Sequence, residues 1–469
     1  MNVMGVVLAA GLGKRMKSKL YKVLHPVCGR PMVRHVVDTL QAAGVGRKIV
    51  VVGHGAEAVQ AALGDEAEYA VQEQQLGTGH AVRMAESKLS DAEGITVVAY
   101  GDTPLIKAET VAGMIERHKE SGAGATLLVA EFQNPAGLGR IVFGQGGAVE
   151  RIVEDKDCTP EERKIRFINA GTYCFDNRKL FAALAKVTNK NAQGEYYLTD
   201  VIEIMKSEGD KVIGYLTDDP NEALGVNDRV ALSEAEKHMR ARINRAHMMN
   251  GVSLIDPDAV YIEAGVTIGP DTTIYPGTML KGGTTIGSDC VIGPNSDITG
   301  SVIADGAVVK QSVLSEAVVG PRTSVGPFAY LRPGTKLGED VKIGDFVEVK
   351  NAVIGAGSKV SHLAYVGDAE VGKNVNFACG AVTVNYDGFA KHKTIVEDDA
   401  FVGCNVNLIA PVRVGQGAYV VAGSTITKDV PADDMAIARE RQTNKPGYAS
   451  MLKARLKRAK ESANGAKGE

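Results

Sequence analysis

A six-residue repeat fills most of the second half of the chain and constrains its fold more than any other feature. A period of six fits neither the 3.6 residues of a helical turn nor the alternation of an isolated strand. It is typical of a left-handed parallel β-helix, in which each short strand buries one aliphatic residue and then turns a corner. The repeated residues form three runs: Ile262, Ile268, Ile274, Leu280, Ile286, Ile292 and Ile298; Val319, Val325, Leu331, Leu337, Ile343 and Val349; Val396, Val402, Leu408, Val414, Val420 and Ile426.

The repeat begins near residue 252 and ends near residue 430. At the usual ~18 residues per three-sided coil, it predicts about ten coils and a prism of about 48 Å at the spacing of paired strands. A domain of this kind occupies only part of the chain, so the first half needs a separate explanation.

The first half alternates the patterns of strands and helices. Residues 3–9, 48–52 and 95–100 are short apolar runs, whereas residues 32–43 and 56–63 have helical spacing. This alternation predicts a Rossmann-like α/β domain with a mainly parallel sheet, whose ligands gather at the carboxyl ends of the strands. We therefore predict an α/β domain (1–228), a linker helix (229–250), the β-helix (251–437) and a C-terminal tail (438–469).

Composition and charge narrow the class of protein. Net charge is −3 over 469 residues, so no global field recruits nucleic acid or a membrane surface. No apolar run approaches the ~20 residues of a membrane span, and the N-terminal run lacks the basic segment of a signal peptide. The six cysteines contain no CxxC pair, which favours reduced, mostly buried thiols in the cytoplasm. In the tail, Lys453, Arg455, Lys457, Arg458 and Lys460 predict a basic helix, and the sequence leaves open whether it covers a site or stays solvated.

The loop after the first strand, Leu8-Ala9-Ala10-Gly11-Leu12-Gly13-Lys14-Arg15-Met16, carries two glycines and two cations. Glycines let backbone N–H groups approach a phosphate closely, and the cations balance its charge. The loop is neither a Walker A loop nor a dinucleotide fingerprint, because the spacing and the third glycine are absent. Alone it could be an ordinary α/β turn. Its significance comes from the segments that follow it: Lys22-Val23-Leu24-His25, then Gln72 with Leu76-Gly77-Thr78-Gly79-His80, and Tyr100-Gly101-Asp102.

These segments, in this order, resemble those of sugar-1-phosphate nucleotidyltransferases. With the hexapeptide solenoid, essentially the whole chain resembles the bacterial family that joins a glucosamine-1-phosphate N-acetyltransferase to an N-acetylglucosamine-1-phosphate uridyltransferase. The resemblance implies that UTP and acetyl-CoA are cosubstrates, that Mg²⁺ assists uridyl transfer, and that the chain forms a homotrimer. Partners would be small molecules rather than nucleic acid.

For the α/β domain, the resemblance implies three groups of residues. Arg15 and Lys22 would neutralise the triphosphate, and Asp102 and Asn227 would hold Mg²⁺. The amino-sugar would be bound by Gly139, Glu154, Asn169 and Asn227. The nucleotide would be bound by Leu8, Ala9, Ala10, Gly11, Lys22, Gln72, Gly77, Thr78, Tyr100, Gly101 and Asp102.

In the solenoid, three interruptions of the repeat are candidates for function: residues 361–368, residues 376–388 and an insertion at 389–393. A lone histidine is more often structural, but the pattern H-x-x-Y-x-G-D beginning at His362 matches the family. The resemblance makes His362 the general base for acetyl transfer and Glu348 its orienting partner. Arg332, Lys350, Tyr365, Asn376 and Lys391 would surround the sugar phosphate. Beside the acetyl-CoA would lie Asn385 and Tyr386, at the reacting amine, and Cys379, Cys404, Ala422 and Arg439.

The chain departs from the family pattern at Leu12, Lys14 and Tyr21, and at the two cysteines Cys379 and Cys404. None of these changes removes a charged group from either site. Two alternatives stay open at this point. The solenoid could be only a scaffold for a monofunctional nucleotidyltransferase, or the chain could be a non-catalytic assembly subunit. The first alternative has no use for His362 and Lys391, and the second has no use for Asp102.

Overall fold

The computed structural model describes residues 2–144, 148–191 and 193–465 and consists of two compact units, residues 1–301 and residues 302–469. The first unit contains the α/β part, a long helix and the first coils of the solenoid. The second contains the remaining coils and a C-terminal helix. The domain limits derived from the sequence stay predictions, and residues 466–469 of the predicted tail lie outside the described residues.

The strands and helices of the α/β part agree closely with the sequence patterns. The strands are β1 (Val3–Ala9), β2 (Pro26–Val27), β3 (Arg30–Pro31), β4 (Arg47–Val52), β5 (Glu68–Val71), β6 (Ile95–Tyr100), β7 (Ala125–Glu131), β8 (Arg140–Phe143), β9 (Val149–Val153), β10 (Phe167–Asp176) and β11 (Val212–Leu216). The helices are α1 (Met32–Ala42), α2 (Ala56–Leu63), α3 (Thr78–Arg83), α4 (Glu86–Leu89), α5 (Ala108–Ser121), α6 (Asn177–Leu184), α7 (Asp200–Ser207) and α8 (Arg229–Met249).

Nine of these strands form one sheet, with the order β11-β7-β10-β6-β1-β4-β5 and with β8 and β9 attached to β10. β1 runs parallel to β4 and β6, as the Rossmann-like prediction requires. β10 is antiparallel to both of its neighbours, β6 and β7. The chain reaches β10 from β7 through a hairpin and short 3₁₀ turns, and without a helical crossover it does not return in the parallel direction.

Both sides of this sheet are buried, which explains why its strands read as continuous apolar runs. Val6 and Leu8 pack into the apolar layer on one side, and Val7 and Ala9 into the layer on the other. The parallel strands β1, β5 and β6 end at one edge of the sheet, and the sequence motifs follow directly after these ends. That edge is therefore where a ligand site is expected.

The hexapeptide repeat forms a left-handed parallel β-helix with three sheets, and every residue of the three aliphatic runs is buried except the half-buried Ile268. In the first unit the coil strands are Ser253–Leu254, Thr273–Ile274 and Val291–Ile292 in one sheet, Tyr261–Ile262, Met279–Lys281 and Asp297–Thr299 in the second, and Thr267–Ile268 and Thr285–Ile286 in the third.

In the second unit we name the three sheets face 1, face 2 and face 3. Face 1 contains Val308–Val309, Ser324–Val325, Lys342–Asp345, Lys359–His362, Asn376–Phe377, Phe401–Val402, Tyr419–Val420 and Met435–Ala436. Face 2 contains Val313–Ser315, Tyr330–Leu331, Glu348–Lys350, Tyr365–Gly367, Val382–Val384, Asn407–Ile409 and Thr425–Ile426. Face 3 contains Val302–Ile303, Val318–Val319, Lys336–Leu337, Val353–Ile354, Ala369–Val371, Thr394–Val396 and Val412–Val414.

The predicted insertion is a loop between a face 2 strand and a face 3 strand, and Phe389 at its tip is 97% exposed. The basic tail forms α9 (Tyr448–Gly465), which confirms the predicted helix, and its described side chains are exposed. Within the described ranges, no helix is both long and apolar enough to cross a membrane. All six cysteines are among the described residues, none of them is in a disulfide, and four of them are buried.

Candidate active sites

A cavity of about 280 Å³ opens at the carboxyl ends of β1, β5 and β6. Its lining residues are Leu8, Ala10, Gly11, Lys22, Val23, Gln72, Gln75, Gly77, Thr78, Ala81, Tyr100, Asp102 and Glu195. Nine of the eleven residues predicted to bind nucleotide are therefore brought together around one space. The other two, Ala9 and Gly101, lie just outside it. Ala9 packs in an apolar layer of the sheet, and the Gly101 N–H donates to the Leu8 carbonyl at 2.9 Å.

Arg15, which was predicted to neutralise the triphosphate, also lies outside the cavity. It lies on the exposed 3₁₀ turn Lys14–Met16 and is not among the lining residues. The turn is flanked by Gly13 and Lys17, both with positive φ. Lys22 is thus the cation that faces the cavity in this structure.

Lys22 lies between the two residues predicted to hold a metal ion. Its ammonium contacts the Asp102 carboxylate and donates a hydrogen bond of 2.7 Å to Asn227 Oδ1. The Lys22 and Asp102 side chains are only 13% and 18% exposed. Two oxygens therefore converge on one point that already favours a cation. Such a pair fits Mg²⁺, which prefers hard oxygen ligands and takes few from the protein when substrate phosphates supply the others.

The Gln72 side chain forms another wall of the cavity and is 3% exposed. Its amide nitrogen donates to the Gly77 carbonyl at 3.2 Å and lies 3.0 Å from Nδ1 of His80. His80 belongs to α3, and residues at the start of this helix are anchored by the segment beyond the cavity. The Gly79 N–H donates to the Tyr196 carbonyl, and the Thr78 hydroxyl accepts from the Leu198 N–H.

The residues predicted to bind the amino-sugar lie on β8, β10 and the turn after β9. The Asn169 N–H donates to the Gly139 carbonyl, and Glu154 approaches Gly139 closely. The Asn169 amide donates to the Tyr173 hydroxyl at 2.6 Å, which in turn donates to Tyr100 on the cavity wall. Burial raises the pKa of Tyr100 to about 12, so this phenol remains protonated at neutral pH.

Glu154 lies in an acidic environment. Burial, followed by the carboxylates of Asp157, Asp200 and Asp155, raises the pKa of Glu154 above its ordinary value. Arg140, which the sequence reading did not single out, is 2% exposed and binds Asp155 at 2.9 Å. This pair, in which only Arg140 is buried, links the turn that carries Glu154 to β8, next to Gly139.

In the second unit, the predicted general base has a different carboxylate partner from the one expected. His362 Nδ1 lies 2.7 Å from Asp345 Oδ1, one coil below it at the same register position. The predicted partner, Glu348, instead accepts a hydrogen bond of 2.7 Å from Arg332. The reason is geometric. Glu348 lies on face 2, whereas His362 and Asp345 end paired strands of face 1. In this structure Asp345, and not the predicted Glu348, is the carboxylate that contacts His362, so we expect Asp345 to orient the ring.

Three cations gather on face 2 and on the loop beside it. The neighbouring Lys391 ammonium, with burial and Arg332 as further causes, lowers the pKa of Lys350. Like charges repel one another, and an anion bound between them offsets that repulsion. Arg332, Lys350 and Lys391 therefore form a cluster of positive charge, and its use in binding a phosphate stays a prediction.

Hydrogen bonds also join the motif that begins at His362 to Asn351 and Asn385. Asp368 accepts from Asn385 at 2.5 Å and from Asn351 at 2.6 Å, and the Asn385 amide also reaches the Tyr365 hydroxyl at 3.4 Å. The loop that carries Lys391 is a small hairpin, in which Tyr386 and Lys391 form a β-bridge.

The predicted acetyl-CoA residues form a column along the corner that follows face 1. The Asn405 N–H donates to the Cys379 carbonyl, and the Gly423 N–H donates to the Cys404 carbonyl. Strand register places Cys379, Cys404 and Ala422 one above another, and His362 continues the same column one coil below. Arg439 lies beyond Ala422, with its Cδ close to Gly423. Adjacent coils are about 5 Å apart.

Asn376 is the predicted sugar-phosphate residue that lies apart from the others. It belongs to face 1, at the register position of Lys359 and Phe401. Arg332, Lys350 and Tyr365 belong to face 2. Outward side chains on two sheets of a three-sided solenoid point in different directions, so one chain does not bring Asn376 to the cation cluster.

Two protein-family models match different parts of the chain. A family model described as the MobA-like NTP transferase domain matches residues 5–202. A second, described as the GMPPB C-terminal domain, matches residues 261–362.

Curated relatives that carry the name bifunctional protein GlmU match almost the whole chain. The protein of Geobacillus thermodenitrificans is 57% identical over 452 residues, which cover 96% of this chain and 98% of the relative. The protein of Brevibacillus brevis is 58% identical over 95% of this chain and 97% of its own length. The protein of Bacillus subtilis is 56% identical over 95% of this chain and 98% of its own length.

Proposed function

Because the chain belongs to the bifunctional GlmU family, and is thus a glucosamine-1-phosphate N-acetyltransferase and an N-acetylglucosamine-1-phosphate uridyltransferase, we propose that its two clusters are its two active sites. Uridyl transfer takes place in the cavity at the carboxyl ends of β1, β5 and β6. Acetyl transfer takes place at the corner between faces 1 and 2, around His362. The acetylated product of the second site is the substrate of the first.

In uridyl transfer, the phosphate of N-acetylglucosamine-1-phosphate attacks the α-phosphorus of UTP in line, and pyrophosphate leaves. The protein needs no nucleophile for this reaction, because positioning and charge stabilisation supply the catalysis. Lys22 neutralises charge on the phosphate oxygens, and Leu8 to Gly11 approach the nucleotide with their backbone. Asp102 and Asn227 hold Mg²⁺, which when bound supplies further stabilisation of the phosphate charge.

The remaining residues of this site select the two substrates. Gln72, Gly77 and Thr78 bind uracil, and Gly139, Glu154 and Asn169 bind the N-acetylated sugar. The chain of hydrogen bonds from Asn169 through Tyr173 to Tyr100 supports this assignment, because it connects the sugar side with the cavity wall. Arg15 lies outside the cavity in this structure, so a role in binding the triphosphate requires its turn to move toward the nucleotide.

In acetyl transfer, His362 takes a proton from the amino group of glucosamine-1-phosphate as that nitrogen attacks the thioester carbonyl. The C–N bond forms, the C–S bond breaks, and coenzyme A leaves. Asp345 accepts from Nδ1 of the ring, which leaves Nε2 free to accept the proton. Arg332, Lys350 and Lys391 bind the phosphate, and Tyr365 and Asn385 lie beside the sugar.

Acetyl-CoA lies along the column that His362 shares with Cys379, Cys404 and Ala422. The extended arm of coenzyme A runs parallel to such a column, so that the thioester reaches His362 at one end. Arg439, at the other end, pairs with a phosphate of the coenzyme. The side chains of Cys404, Ala422 and Arg439 are exposed, as ligand contact requires.

The acetyl-transfer site is completed by other copies of the chain in a homotrimer. Two observations support this. Asn376 lies on a different face from the cation cluster, and an apolar ladder is exposed at the corner that follows face 1. In the ladder, the rings of Phe328 and Phe346 stack with centroids 5.5 Å apart, and Leu363 is 59% exposed. We place the enzyme in the cytoplasm, where cysteines that form no disulfide fit the reducing environment.

The single observation that carries the proposal is the pairing of His362 with Asp345 on face 1 of a solenoid whose face 2 and adjoining loop gather three cations, which a scaffold would not need. The test measures both reactions of each variant separately. His362→Ala should reduce acetyl transfer by about 10²- to 10⁴-fold, the contribution of a general base, and leave uridyl transfer near wild type. Asp102→Ala is the reciprocal control, and should abolish uridyl transfer while sparing acetyl transfer. Equal loss of both activities in either variant would contradict two separate sites.

A further inference from the structure

The amide of Gln72 is held in one orientation by its surroundings. A glutamine amide has two N–H hydrogens and one carbonyl oxygen. Both hydrogens have acceptors here: the Gly77 carbonyl at 3.2 Å and Nδ1 of His80 at 3.0 Å. The side chain is 3% exposed and lines the cavity. Its oxygen is therefore the part of the amide that remains available to a bound base.

His80 must be in one particular state to accept this hydrogen bond. A neutral imidazole has one nitrogen that donates and one that accepts. The ring also hydrogen-bonds the backbone of Gln74, and we assign its proton to the nitrogen opposite Gln72, so that Nδ1 faces the Gln72 amide. Burial, followed by the nearby Arg83, lowers the pKa of His80 and keeps the ring neutral. Nδ1 is then an acceptor.

The oxygen that remains on Gln72 discriminates between pyrimidines. N3 of uracil carries a hydrogen and donates, whereas N3 of cytosine is an acceptor. We propose that His80 is a positioning residue for nucleotide choice: by accepting from Gln72, it fixes the amide oxygen toward the base and makes the site prefer UTP to CTP. This inference rests on the proposed use of the cavity for uridyl transfer.

Without an acceptor at residue 80, the amide can rotate and present its nitrogen to the base. A rotated amide donates to N3 of cytosine and repels N3–H of uracil. Sites that hydrogen-bond a substrate group discriminate strongly, because a mismatched partner leaves buried polar groups unpaired. The fixed orientation thus converts a side chain that could recognise either base into one that recognises uracil.

The experiment compares kcat/KM for UTP and for CTP in the full-length wild type, His80→Leu and His80→Asn. Leucine removes the acceptor, and the UTP/CTP ratio should fall by about tenfold or more. Asparagine restores an acceptor oxygen near the position of Nδ1, and should hold the ratio within about threefold of wild type. KM for N-acetylglucosamine-1-phosphate should stay constant in both. A ratio unchanged in His80→Leu, or one that falls equally in both variants, would overturn the inference.

A binding measurement separates this inference from the assignment of the cavity. Calorimetric titration with UTP and with CTP is made on His80→Leu, on Lys22→Met and on wild type. Loss of nucleotide binding in Lys22→Met together with unchanged preference in His80→Leu would overturn the role of His80 alone. Unchanged UTP binding in Lys22→Met would contradict the proposed nucleotide site itself.

Discussion

At the scale of single residues, the proposed acetyl-transfer mechanism depends on which carboxylate contacts His362. Asp345 Oδ1 lies 2.7 Å from Nδ1, and the imidazole lowers the pKa of the Asp345 carboxyl. The carboxylate is therefore ionised at neutral pH and can stabilise the imidazolium that forms when His362 takes a proton. Glu348, which binds Arg332, is placed to act on the phosphate side of the site.

Asp345→Asn should lower kcat for acetyl transfer by about 10- to 100-fold, part of the ~10²–10⁴ that a general base provides. The amide keeps a hydrogen-bond acceptor but loses the charge, so KM for glucosamine-1-phosphate should change little. Steady-state kinetics at saturating acetyl-CoA give both constants. Glu348→Gln is the matched control, and should raise KM with a smaller effect on kcat. The reverse pattern would return the orienting role to Glu348.

The difference between predictable and unpredictable residues has a physical origin. Lys22, Gln72 and Asp102 follow the ends of strands within short segments of sequence, and strand ends at one edge of a sheet meet in space. Asp345 lies 17 residues before His362, nearly one coil, and this spacing could have indicated it. The hydrogen bond between His80 and Gln72 could not be predicted in this way. A hydrogen bond between two side chains depends on rotamers that no spacing specifies.

At the scale of elements, the hairpin after the face 2 strand Val382–Val384 determines where Lys391 lies. Asp387 holds it. The backbone N–H of Ala390, the ring of His392 and the N–H of Phe389 lower the pKa of the Asp387 carboxyl. A carboxyl with a lowered pKa contributes its stabilisation above the ordinary value near 4, and loses it as pH falls through the native pKa. At neutral pH the Asp387 carboxylate is therefore ionised, and it contributes its full stabilisation to the hairpin.

Asp387→Ala should raise KM for glucosamine-1-phosphate by about fivefold or more, because the loosened hairpin no longer fixes Lys391 beside Lys350. KM for acetyl-CoA should change less than twofold, since its column lies along a different corner. Asp398→Ala is a matched control: its carboxylate likewise accepts a backbone N–H, from Lys373 at 2.8 Å, but away from the cation cluster. Equal changes in both variants would show a general loss of stability.

The strands and helices were the features of this fold that the sequence predicted best. The apolar runs of β1 and β6 and the helical pattern of α2 have the limits that the sequence gives, because both sheet faces are buried and each helix has one apolar side. The antiparallel direction of β10 was not predicted. Its residues, with Tyr173 and Phe175 fully buried, have the apolar pattern of any core strand. The direction of the strand is set by the connection before it, whose described residues contain no helical crossover.

At the scale of the whole molecule, the two proposed sites differ in what they need from other copies of the chain. Every residue assigned to uridyl transfer lies in the first unit. The acetyl-transfer residues lie in the second unit and divide between faces 1 and 2, with Asn376 apart from the cation cluster. Disruption of the trimer should therefore affect one activity and spare the other.

Phe346→Asp tests this difference. Phe346 is 58% exposed in the ladder with Phe328 and has φ of 57°, a conformation that aspartate tolerates better than most residues. The substitution should therefore leave the coil intact while placing a charge in the proposed interface. We expect a monomer by light scattering, acetyl transfer reduced at least tenfold, and uridyl transfer within about twofold of wild type. Val230→Asp, at an exposed position of α8, is the control and should change neither assembly nor activity. A monomer that retains acetyl transfer would show that one chain completes the site, and a trimer that loses it would assign Phe346 a direct role beside His362.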